Sequence, residues 1–585
     1  GGGGRRYGAF RRGLNVLDLL LRGGTVVDGT GAPATVGDVG VRDGRIVAVG
    51  RVDQPATRTL DVTGKVVCPG FIDLHTHYDA QLLWDTTASP SVLHGVTTVL
   101  GGNCGFSIAP IGPGDADYIR HMMAVVEGIP IAALEGGGPW DWMSFSQYLA
   151  RIDVGLSVNA GFLVGHSTVR RVVMGDAATR AVATPEQLAD MVRLVGESVA
   201  GGALGLSSSL GEGHVDGDGA PVPSRSATFE EFIALAGAVR GHPGTTLEFI
   251  PTVGPIPTER MELMADMSLA ADRPLNWNLL GSLASEEIYE QQLQASDLAA
   301  EKGAHVIALT LPDLMRMRAT TVLAGLPGWG DVLALGVDDR ARAVADPETR
   351  DRLRAGAEQA ATRALGVLSD FALMEVSDPG SAWVGRSLGE IAEARGTEVI
   401  DVLIDVVLVD GLTLSLVLPS LAPSLGRTDE GWRVRSSVWK DRRVMLGGSD
   451  AGAHVDLMCH ANYPSVVLGE AVRRRGLLSI EEAVEMMSDR PARHYGLRQR
   501  GRIAPGWHAD LCVIDPDEVG SRPAELVSDL PGGGERLSAR SLGVEHVFVG
   551  GREVVAGGEV TDERPGRVLR SGLDTDTVSL ADVRR

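Results

Sequence analysis

Lysine is nearly absent from this sequence. Its 585 residues hold only Lys65, Lys302 and Lys440, so arginine carries almost all of the positive charge. Cysteine is scarce as well. Cys68, Cys104, Cys459 and Cys512 lie far apart, which argues against a disulfide framework and for a reduced, cytoplasmic chain. No apolar run reaches the roughly 20 residues that a membrane helix requires. Arg5, Arg6, Arg11 and Arg12 precede only a short apolar stretch, residues 16–21, so no secretory leader is expected. Positive charge is itself in deficit: 54 Lys and Arg face 76 Asp and Glu, a formal net charge of -22. Nucleic acid and anionic membranes are polyanions and are poor partners for such a surface. Aromatics are few, at 4%, yet 44% of the residues are hydrophobic and glycine is abundant. That usage suits closely packed α/β layers and not a disordered chain. The glycine pairs lack a P-loop lysine, and the serines at 207–209 lack the spacing of a nucleophile elbow.

What is present has an order. Residues 1–14 read as a loose tail. Residues 15–69 form β-like runs with Asp43-Gly44 as a hairpin turn, and a similar pattern returns over residues 499–560 around Gly550-Gly551. Strand-rich segments at both ends predict one small β-sandwich domain built from the two termini. Between them, residues 70–498 alternate short apolar runs with helical stretches, from FIDLHTH through TTVLGGN, AGFLVGHS, ALGLSSSL, TTLEFIP and PLNWNLLG to RVMLGGSD. Thr184 with Gln187, Thr228 with Glu231 and Ser479 with Glu482 have the spacing of capping boxes that start helices. About eight strands in one βα series predict an α/β fold, a (β/α)8 TIM-like barrel. HVIALTLP and LSLVLPS compete for the seventh strand. A helical insertion near 312–381 breaks the rhythm and is placed over the barrel mouth, and residues 561–585 read as a polar tail or a surface arm.

The chemistry gathers where the first and last apolar runs end. In PGFIDLHTHYD, residues 69–79, alternate strand residues point the same way, so His75 and His77 project together. Two adjacent imidazoles suit a divalent ion such as zinc, bound at about 2.0–2.1 Å. A bare His-x-His is often just a pair of solvated side chains. This one follows a hydrophobic run and lies where a barrel's active-site loops begin. In GGSDAGAH, residues 447–454, Asp450 ends another apolar run at the same rim. A carboxylate there can ligate a metal and take a proton from water. Taken alone it reads as an ordinary loop aspartate beside glycine.

These anchors, together with HGVTTVLGGNCGFSIAP (94–110), LVGHSTVR (163–170), GALGLSSSL (202–210) and GRIAPGWHADLCVID (501–515), resemble the amidohydrolase superfamily. Within it they are similar to the N-acyl-D-amino-acid deacylase (D-aminoacylase) branch, over roughly residues 17–554. The resemblance implies a barrel with one or two bound zinc ions and hydrolysis of the amide next to a D-configured amino acid. The partner is then a small-molecule N-acyl substrate, and a homo-oligomer is compatible with the reading. It also implies that Cys104, at the end of the second strand, ligates zinc. A thiolate is apt for that role, although a lone cysteine is usually a small buried hydrophobe. Many amidohydrolases bridge two ions through a carboxylated lysine, and none of the three lysines here ends an apparent strand. Cys104 or Glu248 would then have to bridge a pair of ions.

Two strands depart from the branch. Related deacylases carry one histidine on the fifth strand and another on the sixth, where this chain has Glu248 in TTLEFIP and Asn276 and Asn278 in PLNWNLLG. Glu248 is then a ligand, a base, a partner of His77, or a buried glutamate satisfied by an arginine. His166 and His214 are polar groups at strand ends and candidates to bind substrate, His214 also to reach the metal. His214 belongs to the Gly/Asp-rich loop 211–225, whose Arg225 can clamp a substrate carboxylate or form a structural ion pair. His454 can bind substrate or orient Asp450. The alternatives are a cyclic-amide hydrolase, a dipeptidase or a lactonase of the same superfamily, or a non-catalytic relative.

Overall fold

The apolar runs close into a ring of parallel strands. The computed structural model describes residues 16–583 apart from 253, 281–285, 314–315, 319–322, 324–325, 334, 336, 361–371, 376–381, 384–385, 408–414 and 418–428. In chain order the barrel strands are Phe71–Asp73, Val96–Gly101, Asn159–Phe162 continued by Val164–Gly165, Gly205–Ser209, Thr246–Ile250, Leu275–Trp277, Val306–Thr310 and Val444–Leu446. Each pairs in parallel with the next. A bridge between Thr76 and Ala451 joins the last strand to the first. The interior is packed solid: Ile72, Leu74, Leu100, Leu204, Leu309 and Met445 share one buried cluster, as the inward layers of a barrel do.

Val306–Thr310 wins the seventh position. Within the competing segment, Ser415–Val417 is the middle strand of a separate antiparallel sheet, between Arg316–Arg318 and Ala372–Glu375. The insertion is therefore not helical throughout, and it does not end near residue 381. Leu323, Trp329 and Leu353 share their core with Leu388, Val402 and Ile404. A segment hanging outside the barrel must bury its own apolar faces, and this one does so by pairing strands and packing helices. It touches the loop after the eighth strand where the Arg318 N–H donates to the Leu457 carbonyl at 2.8 Å.

The two chain ends build one nine-stranded sheet, in which Val66–Pro69 pairs with Leu17–Val26 on one side and Leu511–Ile514 on the other. Its hairpins turn where expected. Asp43 and Gly44 (φ 52° and 72°), like Gly550 and Gly551 (φ 52° and 73°), take the two left-handed positions of a tight two-residue turn. The C-terminal segment is an arm and not a free tail. Gly566 and Leu569 donate backbone hydrogen bonds to Leu156 and Ala160 at 2.7 Å each. Leu569 also joins the barrel's interior cluster, so the arm plugs the end of the barrel opposite the strands' C-termini.

Candidate metal centre

The ends of the first and eighth strands lie side by side because their backbones are tied. Asp450 N–H donates to the His75 carbonyl at 3.2 Å, and His77 N–H to the Ala451 carbonyl at 2.7 Å. That pairing brings the sequence motifs together. Asp450 Oδ1 lies 3.1 Å from His75 Nε2 and 3.7 Å from His77 Nε2. The second strand adds Cys104, whose Sγ is 3.2 Å from His75 Nε2 and 3.6 Å from His77 Nε2. Among the described residues, His75, His77 and Cys104 are the group whose ligand atoms all fall within 4.8 Å of one another. Glycines make room: at Gly102 (φ 73°) a Cβ would stand 2.0 Å from the Leu163 carbonyl oxygen, so the strand end carrying Cys104 lies flat on the third strand.

Glu248 and Asn278 occupy the fifth- and sixth-strand positions beside this cluster. Glu248 Oε2 accepts the Cys104 N–H at 2.8 Å, and Oε1 accepts from Asn278 Nδ2 at 2.7 Å. The same amide nitrogen contacts His75 Nδ1. Both Glu248 oxygens are thus engaged in fixing Cys104 and Asn278. Its neighbour is not an arginine but an amide, and His75, at 3.8 Å, is closer to it than the His77 considered from the sequence. Asn276 instead approaches the Tyr495 hydroxyl, at 3.4 Å.

A profile of the amidohydrolase family matches residues 58–389 and 430–555. The chain belongs to the amidohydrolase family. D-aminoacylase of Alcaligenes xylosoxydans xylosoxydans is 29% identical over 562 residues, covering 94% of this chain and 97% of that one. N-acyl-D-glutamate deacylase of the same organism is 29% identical over 564 residues, covering 95% and 96%. A D-aminoacylase structure, described for the functional role of its binuclear metal centre, superimposes with a TM-score of 0.63 at 27% identity, over 95% of this chain and all of its own. The unmatched gap in the family profile, residues 390–429, falls in the insertion.

The donor set of this amidohydrolase fits a divalent cation. Two imidazoles, a thiol and a carboxylate converge, and four further carboxyls surround them. Asp73 accepts from Ser449 Oγ at 2.5 Å, and Asp79 accepts the Gly102 N–H at 2.9 Å while its other oxygen has no partner. Burial pushes Asp73, Asp79 and Glu248 each up to about 7. Burial, reinforced by the charges of Asp450, Asp79 and Glu248, also drives Glu127 well above the carboxylate range. Asp450 differs. Partial withdrawal from water pushes it up, but the hydrogen bond and charge of His75, with His77 and His454, hold it below the usual carboxylate range. Burial pulls His75 down, yet Asp450 and the carboxyls around it outweigh burial and raise it. His77, pulled down by burial and by the charge of His75, falls to about 3. A pocket this rich in acids, with imidazole nitrogens facing a thiol, has the donors of a candidate cation site.

The remaining candidates divide. His214 Nδ1 meets Ser209 Oγ at 2.9 Å, and burial with the charge of His454 lowers it to about 4. Arg225 Nη1 donates to the His214 carbonyl at 3.1 Å and holds that loop. His454 follows Asp450 in a left-handed conformation, φ 47°. His166 does not reach the centre. Its ring nitrogens are taken by Ser208 Oγ at 2.7 Å and Glu231 Oε1 at 2.9 Å, and Glu231 also grips the fully buried Arg170. That is a structural network that occupies both ring nitrogens, and the expected contact of His166 with substrate is not seen. Sequence reasoning missed Glu127, whose Oε1 lies 3.4 Å from His77 Nδ1. No motif marks it; it follows the helix Ala116–Val126 inside the long excursion between the second and third strands.

Proposed function

We propose that this amidohydrolase is a zinc-dependent deacylase that cleaves the amide bond of N-acyl-D-amino acids. The observation that carries the reading is the convergence of His75, His77, Cys104 and Asp450 from three strand ends onto one point. Full-length similarity to D-aminoacylase and N-acyl-D-glutamate deacylase supports the substrate class. His75, His77, Cys104 and Asp450 would hold the ion; imidazole and thiolate donors favour zinc over the hard cations. Zinc in such a set supplies Lewis acidity, polarising an amide carbonyl and acidifying water.

The chain's own groups carry the proton. Asp450, held ionised by its imidazole neighbours, accepts a proton as water attacks the carbonyl carbon and delivers it to the departing amine. His214 and His454 border the mouth, and Arg225 behind them offers a guanidinium for a substrate carboxylate. The test is a panel of N-acyl-D- and N-acyl-L-amino acids, cyclic amides and lactones, run on protein of measured metal content. Preferential release of D-amino acids by metal-loaded protein is expected. Asp450→Asn should keep the fold and leave the ion to His75, His77 and Cys104, while activity drops about 100- to 10,000-fold. Near-normal turnover in that variant, or turnover confined to lactones or cyclic amides, overturns the proposal.

A further inference from the structure

The helix Ala116–Val126 runs toward the centre and ends beside it. The residue after it, Glu127, is only 3% exposed and touches two groups of the site at once. Its backbone carbonyl accepts the N–H of His454. Its side-chain Oε1 lies 3.4 Å from His77 Nδ1, a buried nitrogen that completes no hydrogen bond in this structure and has this carboxyl beside it. The other ring nitrogen of His77, Nε2, faces Cys104 Sγ and Asp450 Oδ1. The helix is itself anchored. Tyr118 donates to Asp216 at 3.0 Å, fastening it to the loop that bears His214, and Arg171 covers the Tyr118 ring at 4.1 Å.

Resting on the metal reading above, we infer that Glu127 is a positioning residue: it accepts the Nδ1–H of His77, fixing the tautomer that turns the Nε2 lone pair toward the centre. An imidazole rotates about its Cβ–Cγ bond and carries its proton on either nitrogen. A carboxyl against Nδ1 removes both freedoms and makes Nε2 the better donor. The backbone contact to His454 adds a second consequence. The residue beside His77 is also bonded through its backbone to His454 in the loop after Asp450, so one residue joins both sides of the centre.

The experiment compares Glu127→Met, which keeps the volume and removes the oxygen acceptor, with Glu127→Gln, whose amide oxygen still accepts. Each full-length protein is stripped and reloaded with Zn²⁺, and affinity is read by chelator competition. Co²⁺ loading gives the ligand-field spectrum, and a thermal melt of the stripped protein monitors folding. Glu127→Met should bind Zn²⁺ about 10- to 100-fold more weakly than wild type and shift the Co²⁺ bands, with Glu127→Gln restoring most of the affinity. If the methionine variant does not fold, Glu127→Asp, one methylene short, is read the same way. Unchanged affinity and spectrum in the acceptor-deficient variant overturn the inference, as does a glutamine variant no better than methionine. Wild-type protein that takes up no metal overturns the reading of the centre, and this inference with it.

Discussion

Cys104, Asp450 and His454 all hold left-handed backbones, at φ 58°, 52° and 47°. A non-glycine residue gives up about 1–2 kcal/mol to stay there, and such strain persists only where the surroundings dictate it. For Cys104 the dictating contact is Glu248, which accepts its N–H at 2.8 Å. Glu248→Ala therefore leaves two buried N–H donors without an acceptor, that of Cys104 and the one of the Asn278 amide that Glu248 receives, while the same amide nitrogen keeps its contact with His75. At about 1–3 kcal/mol for each, denaturant unfolding should show a loss of about 2–6 kcal/mol, with Glu248→Gln losing less. An alanine variant as stable as wild type would show that the carboxylate fixes nothing. The contrast between these residues explains what the sequence disclosed. His75 and His77 stand at the end of an apolar run, where strand alternation aims them together at a barrel rim; Asp450 gained its reading from being paired with them, and Cys104 from the resemblance to the deacylase branch. Glu127 stands at a helix end, and only the folded chain sets it against His77. His166 also ends a strand, but its partner Glu231 comes from a different helix, so position alone could not separate a buried network from a substrate contact.

At the scale of elements, pattern was enough for the strand series and not for its pairing. Val306–Thr310 and Ser415–Val417 have equally strand-like sequences, and what separates them is which neighbours are free to pair. The same limit applies to caps. Thr184 and Ser479 head complete capping boxes, but at Thr228 only the backbone half forms, because the Glu231 carboxylate turns away to His166 and Arg170. The junction of the second and third barrel strands makes this concrete. Leu163 N–H donates to the Gly101 carbonyl at 2.9 Å, and Gly102 presses against the Leu163 carbonyl in a conformation only glycine takes easily. Gly102→Ala must push the two strands apart two residues before Cys104. A destabilisation of at least about 3 kcal/mol is expected from strain and overlap together, accompanied by weaker metal uptake. Normal unfolding and normal metal content in that variant would mean that the junction tolerates a side chain, and that the close approach does not set the position of Cys104.

Across the whole molecule, the question is how the barrel and the domain made from both chain ends hold each other. The sequence predicted a β-sandwich domain made from both termini and said nothing of what fastens it to the barrel. One fastening is His94, fully buried just before the second barrel strand. Its ring spans two regions, with Nδ1 2.8 Å from Ser465 Oγ and Nε2 2.9 Å from the carbonyl of Ala539 in the C-terminal segment. Donation to that carbonyl requires the proton on Nε2 and leaves Nδ1 to accept from serine, so the neutral ring satisfies both contacts. Burial accordingly lowers its pKa from 6.5 to about 4. The unfolded chain then binds a proton that the folded chain refuses. The stability this group confers is complete above pH 6.5, falls as the pH drops below that value, and stops falling below about 4. Between about pH 7.5 and about pH 5 the loss should be about 2 kcal/mol, at about 1.4 kcal/mol per pH unit. Buried acids near the centre titrate over part of this range, so the comparison that isolates His94 is wild type against His94→Gln, which shares them all. Denaturant unfolding at both pH values should find the gap between the two proteins narrowing by about that amount on acidification. A gap that stays constant would mean that His94 is protonated equally in both states, and that the seam between barrel and terminal domain does not depend on its neutral ring.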